Sequence, residues 1–108
     1  MKDLTQEVWK EQVFNDKDAI IIDVRRPEEW ETGIIESAVM MNVMDFEGFK
    51  RKASQLDSNK NYYLYCRSGA RSIKACQALE TLALDKTYNL LGGILEWKDE
   101  IVNPNNIK

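Results

Sequence analysis

The chain contains no histidine. That absence excludes Ser-His-Asp and Cys-His nucleophile pairs, a histidine general base and any His-containing metal site. Cysteine is scarce: Cys66 and Cys76 lie ten positions apart, a spacing that matches no zinc motif and is too sparse for a disulfide framework. Long apolar runs are missing too, so nothing here is expected to span a bilayer. The N-terminal stretch "MKDLTQEVWKEQVF" carries acidic residues throughout and lacks the apolar centre of a signal peptide. A net charge of −3 gives no reason to expect nucleic acid or an anionic membrane as partner. A cytoplasmic location is the economical expectation. Chemistry must therefore come from thiols, carboxylates, cations and backbone amides.

The residues present describe an ordinary globular chain. With 108 residues, 44% of them hydrophobic and 31% charged, the sequence is expected to form a single domain over residues 1–108, large enough for a core without staples. "TQEVWKEQVF" reads as an amphipathic helix with Thr5 as N-cap and Val8, Trp9 and Phe14 among its apolar contacts. Ile20 to Val24 form a β-branched run without alternation, which suits a strand covered on both faces. Pro27 opens a short helix, "PEEWET", that Gly33 ends. "SAVMMNV" is a weaker strand candidate. "DFEGFKRKASQL" is helical in pattern, with Phe46, Phe49, Ala53 and Leu56 on one side. Tyr62 to Tyr65 read as a second buried strand and Ser72 to Leu84 as a helix, with Ala75, Ala78, Leu79, Leu82 and Ala83 in one stripe. "KTYNLL" is a third strand, Gly92-Gly93 a turn, and "ILEWKDEI" a terminal helix.

Alternating strands and helices predict parallel pairing through crossovers, hence an α/β fold. Ligands of such sheets bind outside the carboxyl ends of the strands. Those ends carry Asp23 and Arg25, then Cys66, then Gly92 and Gly93. In "YYLYCRSGARSIKACQALETLAL" (62–84) a strand ends at a cysteine that opens a tight basic loop. A chain turning there from strand to helix exposes amides without intrahelical partners. Folded into a nest around a side chain, and aided by the helix dipole, these form an anion site. Gly69 permits the turn, Arg67 and Arg71 add positive charge, and a thiolate at Cys66 is stabilised without histidine. The plainer reading makes Cys66 a small buried residue at a strand end.

The loop "CRSGARS" resembles the active-site loop of rhodanese-like sulfurtransferases. "IIDVRRPEEWETGII" is similar to that family's N-terminal signature, and "LLGGILEWK" to its C-terminal Leu-x-Gly-Gly-x-x-x-Trp element. The resemblance covers nearly the whole chain. It implies a three-layer α/β sandwich, with a central, mainly parallel sheet flanked by helices. It makes Cys66 the nucleophile that takes the outer sulfur of a donor such as thiosulfate and passes it, as a persulfide, to an acceptor. Arg67, Ser68, Gly69, Ala70 and Arg71 would surround the donor, with Arg67 and Arg71 orienting it. No metal or organic cofactor is implied. The expected partners are a small anionic sulfur donor and a thiol or cyanide acceptor, with a protein sulfur donor or acceptor as a further option.

Two departures stand out: Ile34 takes the place of the family's usual histidine and Ser37 that of its second glycine, and the following segment lacks the customary proline. Other readings compete for the same residues. A cysteine-dependent phosphatase or arsenate reductase uses a similar amide nest, but its motif places five residues between Cys and Arg, whereas Cys66 and Arg71 enclose four. A persulfide-relay or regulatory binding module would also keep this loop. Asp23 and Arg25 read as a pair that fixes neighbouring loops, with Arg25 a further candidate for the positive field over the pocket. Cys76 reads as a buried helix residue rather than a resolving thiol.

Overall fold

A computed structural model describes residues 1–104 of the chain. Ten elements follow in order: β1 (Lys2–Leu4), α1 (Gln6–Asn15), β2 (Ala19–Asp23), α2 (Pro27–Trp30), β3 (Val39–Met40), α3 (Phe46–Ala53), β4 (Asn61–Tyr65), α4 (Ala70–Glu80), β5 (Thr87–Leu90) and a 3₁₀ turn at Ile94–Glu96. The strands form one sheet in the order β1-β5-β4-β2-β3, and every neighbouring pair is parallel. This is the parallel, helix-flanked α/β sheet that the resemblance implies.

Residue alternation along the central strands explains the layers. Side chains point to opposite faces with a period of two. Ile22, Val24, Tyr62, Leu64 and Cys66 share one face with Phe49, Ala75 and Leu79 from α3 and α4. Ile21, Tyr63 and Tyr65 share the other with Trp9 of α1 and with Leu90. Both faces are thus covered, as the unbroken apolar run in β2 requires. Trp9 anchors the second face: its ring meets Tyr63, Tyr65 and Trp97 edge-on at centroid separations of 5.9, 6.3 and 5.6 Å.

Several expectations need correction. Thr5 caps α1 by accepting from the Val8 amide, yet Val8 and Phe14 are exposed, Phe14 at 87%. At 100° per residue Trp9 and Val13, four apart, are the apolar residues of α1 that pack against the sheet. The edge strand β1 was not foreseen. It is three residues of mixed polarity, and its pairing with β5 comes from tertiary contact rather than strand propensity. The terminal helix is only the 3₁₀ turn, because Gln6 intercepts the backbone beyond it: its side chain donates to Glu96 O and accepts from Lys98 N. Helix α4 stops at Glu80, so Leu82 and Ala83 lie past its end and are exposed; Ala83 carries a φ of 63°.

The two family departures lie in the connection to β3. Ile34 is fully buried and pairs with Val102 in an antiparallel bridge, so an apolar side chain fills that slot. Ser37 sits at φ 71°, in the left-handed region that penalises any Cβ-bearing residue. Replacing Ser37 by Gly is expected to stabilise the fold by about 0.5–1 kcal/mol, the relief of strain exceeding the extra unfolded-state entropy. Urea unfolding of the two proteins measures it, and an unchanged or lower midpoint contradicts it.

Candidate active site

Connections from β2 and β4, adjacent in the sheet, leave toward β3 and β5 respectively, in opposite directions. Such a divergence opens a crevice at the carboxyl edge. Cys66 follows β4 there, with only 1% of its surface exposed. Gly69, at φ 103°, is the N-cap of α4, and this turn aims its N–H at Cys66 Sγ, 3.0 Å away. The Ser72 hydroxyl lies 3.5 Å from the same sulfur. The far wall is bonded to the loop backbone: Ile94 and Leu95 donate to Cys66 O and Arg67 O, each at 2.9 Å. A side chain at Gly93 would collide with these two carbonyls, which explains the second glycine of "LLGGIL".

The cations divide into bound and free. Arg25 is buried and chelates Asp23 through Nε and Nη2 (3.0 and 2.7 Å), and also donates to the Gly33 and Glu29 carbonyls. Its structural duty is therefore evident, although it also lines the pocket described below. Arg71 forms a two-pronged pair with Glu29 at 2.7 and 2.9 Å. That contact, ahead of the other influences, pulls the Glu29 carboxyl down to about 2. Arg67 is exposed and has no ion-pair partner among the described residues. It lines a cavity of about 420 Å³ with Glu28 and Glu29 on α2 and Ile94, Leu95 and Ile101 opposite.

Of the loop residues expected around a donor, Gly69 touches the sulfur through its amide. Ser68 and Ala70 are exposed at the rim, and Arg71 is turned to Glu29. Sequence reading missed Ser72, Glu29 and Asn89. Ser72 closes the quoted loop "CRSGARS", where the pattern reads it only as the first residue of the following helix. Asn89, 1% exposed, is a polar residue inside a buried strand, where an unpaired amide would be costly; that was its available signal. Cys76 lies within α4, fully buried, and burial pushes its thiol up to about 12. Among the described residues no cluster of three or more His, Cys, Asp or Glu could hold a metal.

The rhodanese-like domain family matches residues 5–100. The chain belongs to this family. This rhodanese-like domain is 35% identical over 100 residues to a Bacillus subtilis protein named "Putative sulfurtransferase YtwF", covering 93% of both chains. It is 32% identical to the tRNA uridine(34) hydroxylase of Pelagibacter ubique, but covers 83% of this chain and only 30% of that one. Among solved structures, a rhodanese-like domain protein from Staphylococcus aureus superposes with a TM-score of 0.79 at 29% identity, covering 94% of this chain and 97% of the other.

The Glu29–Arg71 pair makes a pH prediction. Because the folded carboxyl is held at about 2 against an ordinary 4.5, its stabilisation is complete above the ordinary value and is lost as pH falls toward the folded one. Glu29→Gln should flatten this acid limb and, for a partly exposed pair, cost about 1 kcal/mol at neutral pH. Urea midpoints from pH 7 down to 3 test it; parallel acid limbs for both proteins contradict it.

Proposed function

We propose that this rhodanese-like domain is a sulfurtransferase in which Cys66 carries sulfane sulfur between a donor and a thiophilic acceptor. The supporting observation is the buried sulfur of Cys66, which receives the Gly69 N–H at the N-terminus of α4. The positive end of the helix and this amide favour negative charge on the sulfur. In the first half-reaction the Cys66 thiolate attacks the outer sulfur of thiosulfate. A bond forms from Sγ to that sulfur, and its bond to the sulfonate sulfur breaks. Sulfite leaves with the electron pair, and Cys66 is left as a persulfide anion. In the second, a thiolate or cyanide attacks the outer sulfur and the Cys66 thiolate departs.

Arg67 is the cation free to meet an anionic donor. The adjoining cavity, with Ile94, Leu95 and Ile101 on one wall, suits the remainder of a larger donor or acceptor, a protein persulfide included. Glu29 weighs against dephosphorylation, because it occupies the Arg71 guanidinium that a phosphate would need. The Pelagibacter hydroxylase is too much longer than this chain to lend it an activity. No helix among the described residues is long and apolar enough to cross a membrane, and a reducing cytoplasm that keeps both thiols free is part of the same proposal.

Intact-protein and peptide mass spectrometry after incubation with thiosulfate tests the reaction. The expected result is one added sulfur on the Cys66 peptide, removed by cyanide. A sulfinic acid has nearly the same mass but survives thiols. Cys66→Ser should abolish loading and Cys76→Ala should keep it; sulfur loading in the first variant would end the proposal. Arg67→Ala should lower kcat/KM for thiosulfate about tenfold or more, the loss of a charge-assisted hydrogen bond; an unchanged value removes Arg67 from donor binding.

A further inference from the structure

A chain of polar side chains runs from the edge strand to the reactive sulfur. Asn89 of β5 donates through Nδ2 to Asp3 Oδ1 on β1 at 2.9 Å and lies 3.4 Å from the Gly69 carbonyl. Its amide orientation follows, since the flipped form would set Oδ1 against a carboxylate and a carbonyl. Oδ1 therefore faces Ser72 Oγ, which is within hydrogen-bond distance. Ser72 is fully buried and has one hydroxyl hydrogen. Three acceptors surround it: Asn89 Oδ1, the Gly69 carbonyl at 3.1 Å and Cys66 Sγ at 3.5 Å. Asn89 is the nearest and takes the hydrogen. Ser72 thus turns lone pairs toward the sulfur, an arrangement that suits a thiol S–H, whereas a thiolate requires the hydrogen instead.

We infer that Asn89 is a positioning residue for the chemistry at Cys66: it holds the Ser72 hydroxyl and the Gly69 peptide against the sulfur and shares the hydroxyl hydrogen with it. When Cys66 is a thiolate, before donor attack and after sulfur delivery, the hydrogen turns from Asn89 Oδ1 to Sγ. Nδ2 meanwhile keeps Gly69, whose N–H already points at Sγ, in place. Asp3 anchors the amide from outside. This rests on Cys66 reacting as a thiolate, as in the reading above. The titratable groups joined to this chain are Asp3 on β1, which accepts from Asn89, and Cys66 after β4, which Ser72 and Gly69 meet; Cys76 lies one turn beyond Ser72 on α4. Cys76 is kept a thiol by burial, and the nearby Arg71 is committed to Glu29.

The test is Asn89→Asp, which keeps the shape and the acceptor toward Ser72 but replaces the Nδ2 donor with an anionic oxygen facing Asp3 and Gly69. The readout is the rate of Cys66 alkylation by iodoacetamide from pH 5 to 9, followed by peptide mass spectrometry, with circular dichroism as the check on folding. Relative to wild type, alkylation should be slower by roughly tenfold at pH 7, one pK unit of disfavoured charge. The deficit should narrow at lower pH, where the introduced carboxyl protonates and regains a donor. Adding Asp3→Asn to the variant should restore part of the rate, since that amide supplies the missing hydrogen. Equal rates across the range, or a deficit that neither pH nor Asp3→Asn changes, would overturn the inference. Should the variant not fold, Ser72→Ala reads the same contact: slower alkylation supports the inference and a wild-type rate overturns it. Alkylation needs no sulfur donor. If thiosulfate fails to load the wild type while these rates hold, the transfer reading falls and the role of Asn89 stands.

Discussion

The buried pair of Asp23 and Arg25 holds the carboxyl edge of the sheet together. Taking two charges out of water costs several kcal/mol per ion, and the pair survives only because its hydrogen bonds are filled. Arg25 meets Asp23 in a fork, reaches the Gly33 carbonyl at 2.7 Å and the Glu29 carbonyl at 3.3 Å. One guanidinium thereby ties the end of β2 to α2 at Glu29 and to the turn that follows it at Gly33. That fixes the helix from which Glu29 reaches Arg71, and so fixes the start of α4. The position of the Cys66 loop is inherited from this buried ion pair.

The two cysteines show how placement decides surroundings. Both are buried, and both pack in the same apolar cluster. Cys76 lies in mid-helix, where burial raises its pKa and keeps the thiol neutral. Cys66 lies where a strand gives way to a helix, with the Gly69 N–H aimed at its sulfur and Ser72 Oγ 3.5 Å from it. Equal exposure hides different surroundings, because the polar groups within reach of a sulfur matter as well as its depth.

Charge around the loop is arranged in the same economical way. Arg71, despite its place in the motif, is neutralised by Glu29 and serves to dock α4 on α2. The free positive charge is Arg67, facing a cavity that also presents carboxylates and an apolar wall. Such a lining combines charge of both signs with apolar surface.

What local order decides was legible in the sequence. The unbroken Ile20–Val24 run, Tyr62–Tyr65 and the glycine-bearing loop at Cys66 announce themselves through periodicity and backbone permission over a few residues. So do the parallel sheet and the position of Cys66 at its carboxyl edge. Contacts between distant segments left no such trace. Arg71 reaches Glu29 across 42 positions, and Asn89 reaches Asp3 across 86. The strand β1 has too little propensity to be read and exists through its pairing with β5, and Gln6 ends the last helix from 90 residues away. Sequence by itself determined which sulfur meets the amide at the start of α4, because the turn that aims that amide is local. Only the tertiary structure decided which cation remained free and which side chains hold the hydrogen bonds behind that sulfur, because those partners are chosen by packing across the sheet.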